Sequence, residues 1–168
     1  MSDPEVRIER PNRDKASSKV TRLIVFVLLI VTCVLMAIIS WGGWDTIEGA
    51  KAVQIGYIVL YIVLAIQVLR WSRGVLPLAA ALAIILLIFA AVSAPEWFDR
   101  DKEGFSNPTL DEGMLGLLTA LLVPVQLLLI AFAMSGFRQA WNVEIEHSDG
   151  ERADDERRGP ADASPAPA

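Results

Sequence analysis

Thr119, Pro124 and Gln126 lie inside a 24-residue stretch, 114–137, that contains no charge. Thr119 and Gln126 are seven residues apart, so both fall on nearly the same face of a helix. Pro124 has no N–H, which leaves the carbonyl of Ala120 without its helical donor and pushes the chain toward a kink. In lipid that carbonyl needs another donor, and Gln126 or Thr119 could supply one through a neighbouring helix. On one reading these residues line a polar pocket or a gating point. On the other they form a kink whose amide is satisfied internally. The second is preferred, because membrane helices tolerate proline when neighbours repair the lost bonds.

Other reactive groups are sparse. The pattern Asp99-x-Asp101-x-Glu103-Gly104 has the look of a calcium loop's start, but Leu110 stands where a bidentate glutamate is needed, and Arg100 and Lys102 intrude. A solvated acidic loop is the preferred reading. His147 is the single histidine, so bis-histidine haem ligation within one subunit is excluded and a histidine-based metal centre is disfavoured. Cys33 is the single cysteine, inside an apolar stretch, so no intramolecular disulfide forms and a small packed residue is the expected role. No Ser-His-Asp set, phosphate-cradling glycine loop or Cys-x-x-Cys is present. No Asp, Glu, Lys, Arg or His falls in the middle of an apolar stretch, which argues against an intramembrane proton relay. No cofactor, metal or nucleic-acid partner is expected.

The elements that hold these residues are four apolar stretches, 23–40, 52–69, 75–94 and 114–137. A bilayer core takes about 20 apolar residues of helix to cross, and each stretch is near that length. A signal peptide is disfavoured for the first, since no A-x-A-like site follows and further spans come after it. Ser17 or Ser18 is placed to cap the first helix. Asp45-x-x-Glu48 and Thr109-Leu-Asp-Glu112 read as capping boxes for the second and fourth. Pro77 suits the start of the third and Pro95 its end. Small residues mark expected packing faces: Ala52 and Gly56, then Ala79, Ala83, Ala90 and Ala94, then Gly116 and Ala120. The last pair begins a face continuing through Val123, Leu127, Ile130 and Met134. Trp41, Trp44, Trp97, Phe98, Phe105 and Trp141 read as interfacial anchors.

The 168 residues are 54% hydrophobic, with mean hydropathy +0.45, and the apolar residues are gathered into blocks. This implies one all-α integral membrane domain over 19–141, four helices in an up-down bundle, between polar ends. Residues 1–18 read as a disordered arm, and 142–168 as a disordered tail, acidic and then rich in Pro and Ala. Lys and Arg decide threading. Twelve fall on the side of the two chain ends and the 70–74 turn, and three on the other side. Both termini are therefore expected in the cytoplasm, with the protein in the plasma membrane. Expected partners are the lipid bilayer and either further copies of the chain or other membrane proteins. The leading functional reading is a non-enzymatic accessory or scaffold subunit acting by helix association. A small self-assembled transporter or channel comes second, and a membrane-embedded enzyme last.

Overall fold

A computed structural model describes residues 7–9, 15–100, 108–141 and 145–147. Four long helices dominate it: α1 (Ala16–Gly42), α2 (Lys51–Leu69), α3 (Val75–Asp99) and α4 (Glu112–Arg138). All four are long and apolar enough to cross a membrane. A short 3-10 turn, Glu48–Ala50, precedes α2. Outside the helices, β1 (Arg7–Glu9) pairs antiparallel with β2 (Ile145–His147), which ties the two polar ends together. The rest of the expected arm and tail, with Asp101, Glu103 and Phe105 of the acidic loop, lies outside the described residues.

Contacts fix the helix directions. Ser40 near the end of α1 meets Gln54 near the start of α2. Gln139 after α4 meets Thr21 at the start of α1. Phe98 at the end of α3 covers Gly116 at the start of α4. Neighbouring helices thus run antiparallel, and α1–α2, α1–α4 and α3–α4 pack closely while α2 and α3 barely touch.

The buried positions repeat with a seven-residue period. In α4 they include Leu115, Thr119, Leu122, Gln126, Leu129, Ala133 and Gly136, at alternating steps of four and three. In α3 the same steps run through Leu76, Ala79, Ala83, Leu86 and Ala90. That period keeps one seam facing a partner helix and belongs to left-handed packing at small crossing angles. The face expected on α4 is rotated from this seam, for Leu127 and Met134 are 52% and 43% exposed. The reason is physical. A lipid-facing wall is as apolar as a core, so leucine content does not distinguish the two sides, whereas Thr119 and Gln126 avoid lipid and mark the inside.

Several expected helix ends are corrected. The cap of α4 is Asp111, whose carboxylate accepts from the Met114 amide at 3.1 Å. Thr109 lies further back because the Leu110 amide is drawn to the Gly42 carbonyl, 3.2 Å away. Helix α2 begins at Lys51 behind the 3-10 turn with Ala50 at its cap, and no side chain caps it. Helix α1 begins at Ala16, so Ser17 and Ser18 lie inside its first turn. Pro95 does not end α3, which runs one further turn to Asp99. A proline fixes a φ that a helix accepts, and this last turn is held by Trp97, packed inward over Gly43, and by Phe98 over Gly116. Ala52 and Gly56 are exposed, and nothing lies within 4 Å of where a Gly56 Cβ would be. Helix α2 turns Tyr61, Leu64, Ala65 and Val68 inward instead.

The end of the fold that holds the chain termini is closed by cations and tryptophans. Trp141, expected at the membrane surface, is fully buried and meets Trp71 edge-to-face at 5.4 Å. The Arg22 guanidinium lies 4.1 Å over the Trp71 ring and donates to the Leu69 carbonyl. Arg73 donates to the Phe137 carbonyl at 2.8 Å and stacks on the Phe137 ring. Both arginines therefore satisfy last-turn carbonyls of α2 and α4, where a positive charge also suits the helix dipole. Trp71 has φ 61°, a left-handed conformation usually given to glycine. The Ser72 amide bonds the Gln67 carbonyl and the Trp71 amide bonds the Val68 carbonyl, which is the double bond of a Schellman end.

Candidate functional site

Two polar features occur within the span of the helices. The first is a buried triad. The Tyr61 hydroxyl of α2 donates to Gln126 Oε1 of α4 at 2.9 Å, and Gln126 Nε2 donates to Thr32 Oγ1 of α1 at 3.0 Å. Thr32 in turn donates to the Leu28 carbonyl of its own helix at 2.8 Å. All three side chains are fully buried. Helical spacing produces the arrangement: Thr32, Tyr61 and Gln126 each occupy the inward seam of their helix. In lipid such an amide would otherwise lack partners, so the triad fixes α1, α2 and α4 in register. Nearby, the Cys33 thiol lies 3.7 Å from the Ile58 carbonyl.

The expected trio divides. Gln126 is the hub of the triad. Thr119 shares its face two turns away, 4% exposed, and donates to the Leu115 carbonyl at 2.8 Å. Pro124 is exposed on the outer side of α4, and the helix continues through it. Ala79, Ala83 and Ala90 are buried, as is Gly116 beneath the Phe98 ring, while Ala120 is half-buried. Thr32 and Tyr61 drew no functional reading from the sequence. Their signal was a polar side chain at inward spacing within an apolar run, the same signal that singled out Gln126.

The second feature is a cleft of about 410 Å³ where α2 and α3 diverge, in the half of the fold away from the chain ends. It is lined by Tyr57, Leu86 and Leu122, and by Thr119 of the expected trio. At one end, its mouth, where α2 starts and α3 finishes, it carries Thr46, Gln54, Ser93, Glu96 and Arg100. Gln54 accepts from Ser40 at 2.6 Å, and Ser93 donates to the Phe89 carbonyl at 2.7 Å. Thr46 Oγ1 is buried and has no hydrogen-bond partner among the described residues. The volume falls in the range of small-molecule sites, about 300–1,000 Å³.

Among the described residues, no three His, Cys, Asp or Glu side chains come together to hold a metal ion. The candidate calcium loop begins at Asp99, and most of it lies outside the described residues. The chain matches no family model, no curated protein and no solved structure, so the geometry alone carries the functional argument.

Proposed function

We propose that this membrane protein is a non-enzymatic subunit of the plasma membrane that acts by helix association, with α2 as the associating helix and both termini in the cytoplasm. The carrying observation is the state of α2. Only four of its residues are buried, and Ala52 and Gly56 present a small-residue notch that none of the described residues covers. Notches of this kind let a second helix approach closely, where van der Waals packing rather than hydrophobic transfer drives pairing. A glycine at an exposed site within a helix costs about 1 kcal/mol against alanine, so intrachain stability gives no reason for Gly56. The transporter or channel reading draws less support, since Thr119 and Gln126 direct hydrogen bonds within the chain instead of toward a pathway.

The test is disulfide trapping in native membranes, with Cys33→Ala as background and Gly56→Cys as the reporter. Trapping between copies, or with one stoichiometric partner, is expected. Gly56→Leu lowers the associated fraction in mild detergent by at least five-fold while thermal unfolding stays unchanged. A protein that is monomeric in native membranes, with no trapped product, refutes the reading.

A further inference from the structure

The cleft between α2 and α3 has no part in the association reading, and its shape and chemistry identify an occupant of a different kind. Along α3 it extends from Arg100 to Leu86, fourteen residues or about 21 Å of helix. That is the depth of one leaflet, about half of a bilayer roughly 40–45 Å thick with its headgroup regions. A single lipid, acyl chain and headgroup together, has that reach, so the cleft runs from headgroup level into the hydrocarbon of one leaflet.

Polarity grades along the same axis. Toward Leu86 and Leu122 the lining is mostly apolar, with Thr119 using its hydroxyl on its own helix, while Thr46, Gln54, Ser93, Glu96 and Arg100 cluster at the end formed by the start of α2 and the last turns of α3. There the buried Thr46 hydroxyl lacks a partner among the described residues, and Gln54 uses its carbonyl oxygen on Ser40, leaving its amide N–H groups as donors. Donors at this level suit the ester and phosphate oxygens of a lipid. Among the described residues that line the cleft, the charged groups are one acid, Glu96, and one base, Arg100, one helical turn apart and of no net charge. A net-neutral rim gives an anionic headgroup no net attraction and complements a head that itself carries both signs.

The geometry points to a binding site for a single zwitterionic phospholipid of the bilayer leaflet opposite the chain termini, one acyl chain filling the cleft between α2 and α3 and the headgroup held at Thr46, Gln54, Glu96 and Arg100. The lipid fills the space left by the sparse contact between α2 and α3.

The test is native mass spectrometry of the full chain, released from nanodiscs containing equal parts phosphatidylethanolamine and phosphatidylglycerol with oleic acid added. One retained phosphatidylethanolamine per chain is expected. Val53→Trp, at a position on the cleft wall that is 54% exposed, lowers that occupancy at least five-fold. Ile55→Trp, 49% exposed on another side of the same helix and outside the cleft, leaves it unchanged. Thr46→Val lowers it at least three-fold. Should Val53→Trp fail to fold, Ser93→Phe narrows the cleft from α3 and must show the same loss. Equal retention by wild type and the narrowed variants overturns the site. So does retention of phosphatidylglycerol or oleic acid in place of phosphatidylethanolamine, or of no lipid. Gly56→Leu changes association without changing lipid retention, which keeps the two readings separable.

Discussion

Replacing Tyr61 by Phe removes one hydroxyl and leaves the ring. Gln126 Oε1 then loses the donor it has at 2.9 Å, in a position with no access to solvent. Interhelical hydrogen bonds in membranes average about 0.6 kcal/mol and reach about 1.7. An orphaned buried acceptor adds to that, so Tyr61→Phe should cost about 1–2 kcal/mol. Gln126→Leu removes the hub. It breaks both the Tyr61 and the Thr32 contacts and strands the Tyr61 hydroxyl, while Thr32 keeps its bond to the Leu28 carbonyl. About 2–3 kcal/mol is expected. In that background Tyr61→Phe removes a group already orphaned, so its cost should fall to about zero or change sign. The double-mutant cycle therefore carries a coupling of about 1 kcal/mol or more. Reversible unfolding in mixed micelles, titrated with a denaturing detergent and followed by tryptophan fluorescence, measures all four corners. If Tyr61→Phe costs the same with Gln126 or Leu at position 126, the triad does not act as a unit and the derivation fails. The same variants bear on function: a triad that serves only to hold helices leaves the ion permeability of proteoliposomes unaltered, and loss of a measured flux in Gln126→Leu would favour the transport reading instead.

Asp111→Ala should cost about 1 kcal/mol through loss of the α4 cap, and Thr109→Ala close to nothing, measured in the same unfolding titration. Ala140 has φ 50°, so Ala140→Gly relieves a left-handed conformation and should leave stability unchanged or raise it by up to about 1 kcal/mol; a clear loss contradicts this. Arg73→Lys keeps the charge but loses the planar group that both bonds the Phe137 carbonyl and stacks on its ring, so it should destabilise nearly as much as Arg73→Met. Cysteines placed at Ser2 and at Asp45, on the Cys33→Ala background, should differ in labelling by an impermeant thiol reagent: Asp45→Cys reacts on intact cells and Ser2→Cys only after permeabilisation.

The existence and number of the long helices are legible because an uncharged run of about 20 residues has few alternatives to lipid. The side each helix turns inward is less legible. Leu127 and Leu129 are the same residue, yet one is 52% exposed and the other fully buried, and lipid rewards neither choice over the other. What resolves them is the polar minority. Thr32, Tyr61, Thr119 and Gln126 all face inward and mark the buried side of α1, α2 and α4, whereas α3 has no such residue and its seam is marked by alanines. The helix ends escaped for another reason. Asp111 rather than Thr109 caps α4 because Leu110 is tied to the end of α1, and Trp71 holds a glycine-like conformation because Arg22 and Trp141 grip its ring. These are tertiary contacts that override local preference, and no window of sequence contains both partners.

The cleft follows from the same contrast. Helix α2 is fixed by polar and close contacts to α1 and α4, through Gln54, Ile58 and Tyr61, and by no comparable contact to α3. The five-residue turn joining α2 to α3 holds them together at the end of the chain termini, where Arg22, Trp71 and Trp141 lock the corner. Elsewhere the two helices make few contacts, and the Thr46 hydroxyl, just ahead of the 3-10 turn, has no partner among the described residues. A fold pinned at one end and along one side opens along the other. In a bilayer such an opening fills with hydrocarbon, so the divergence of α2 and α3 and the lipid proposed between them are two consequences of where the few polar side chains lie.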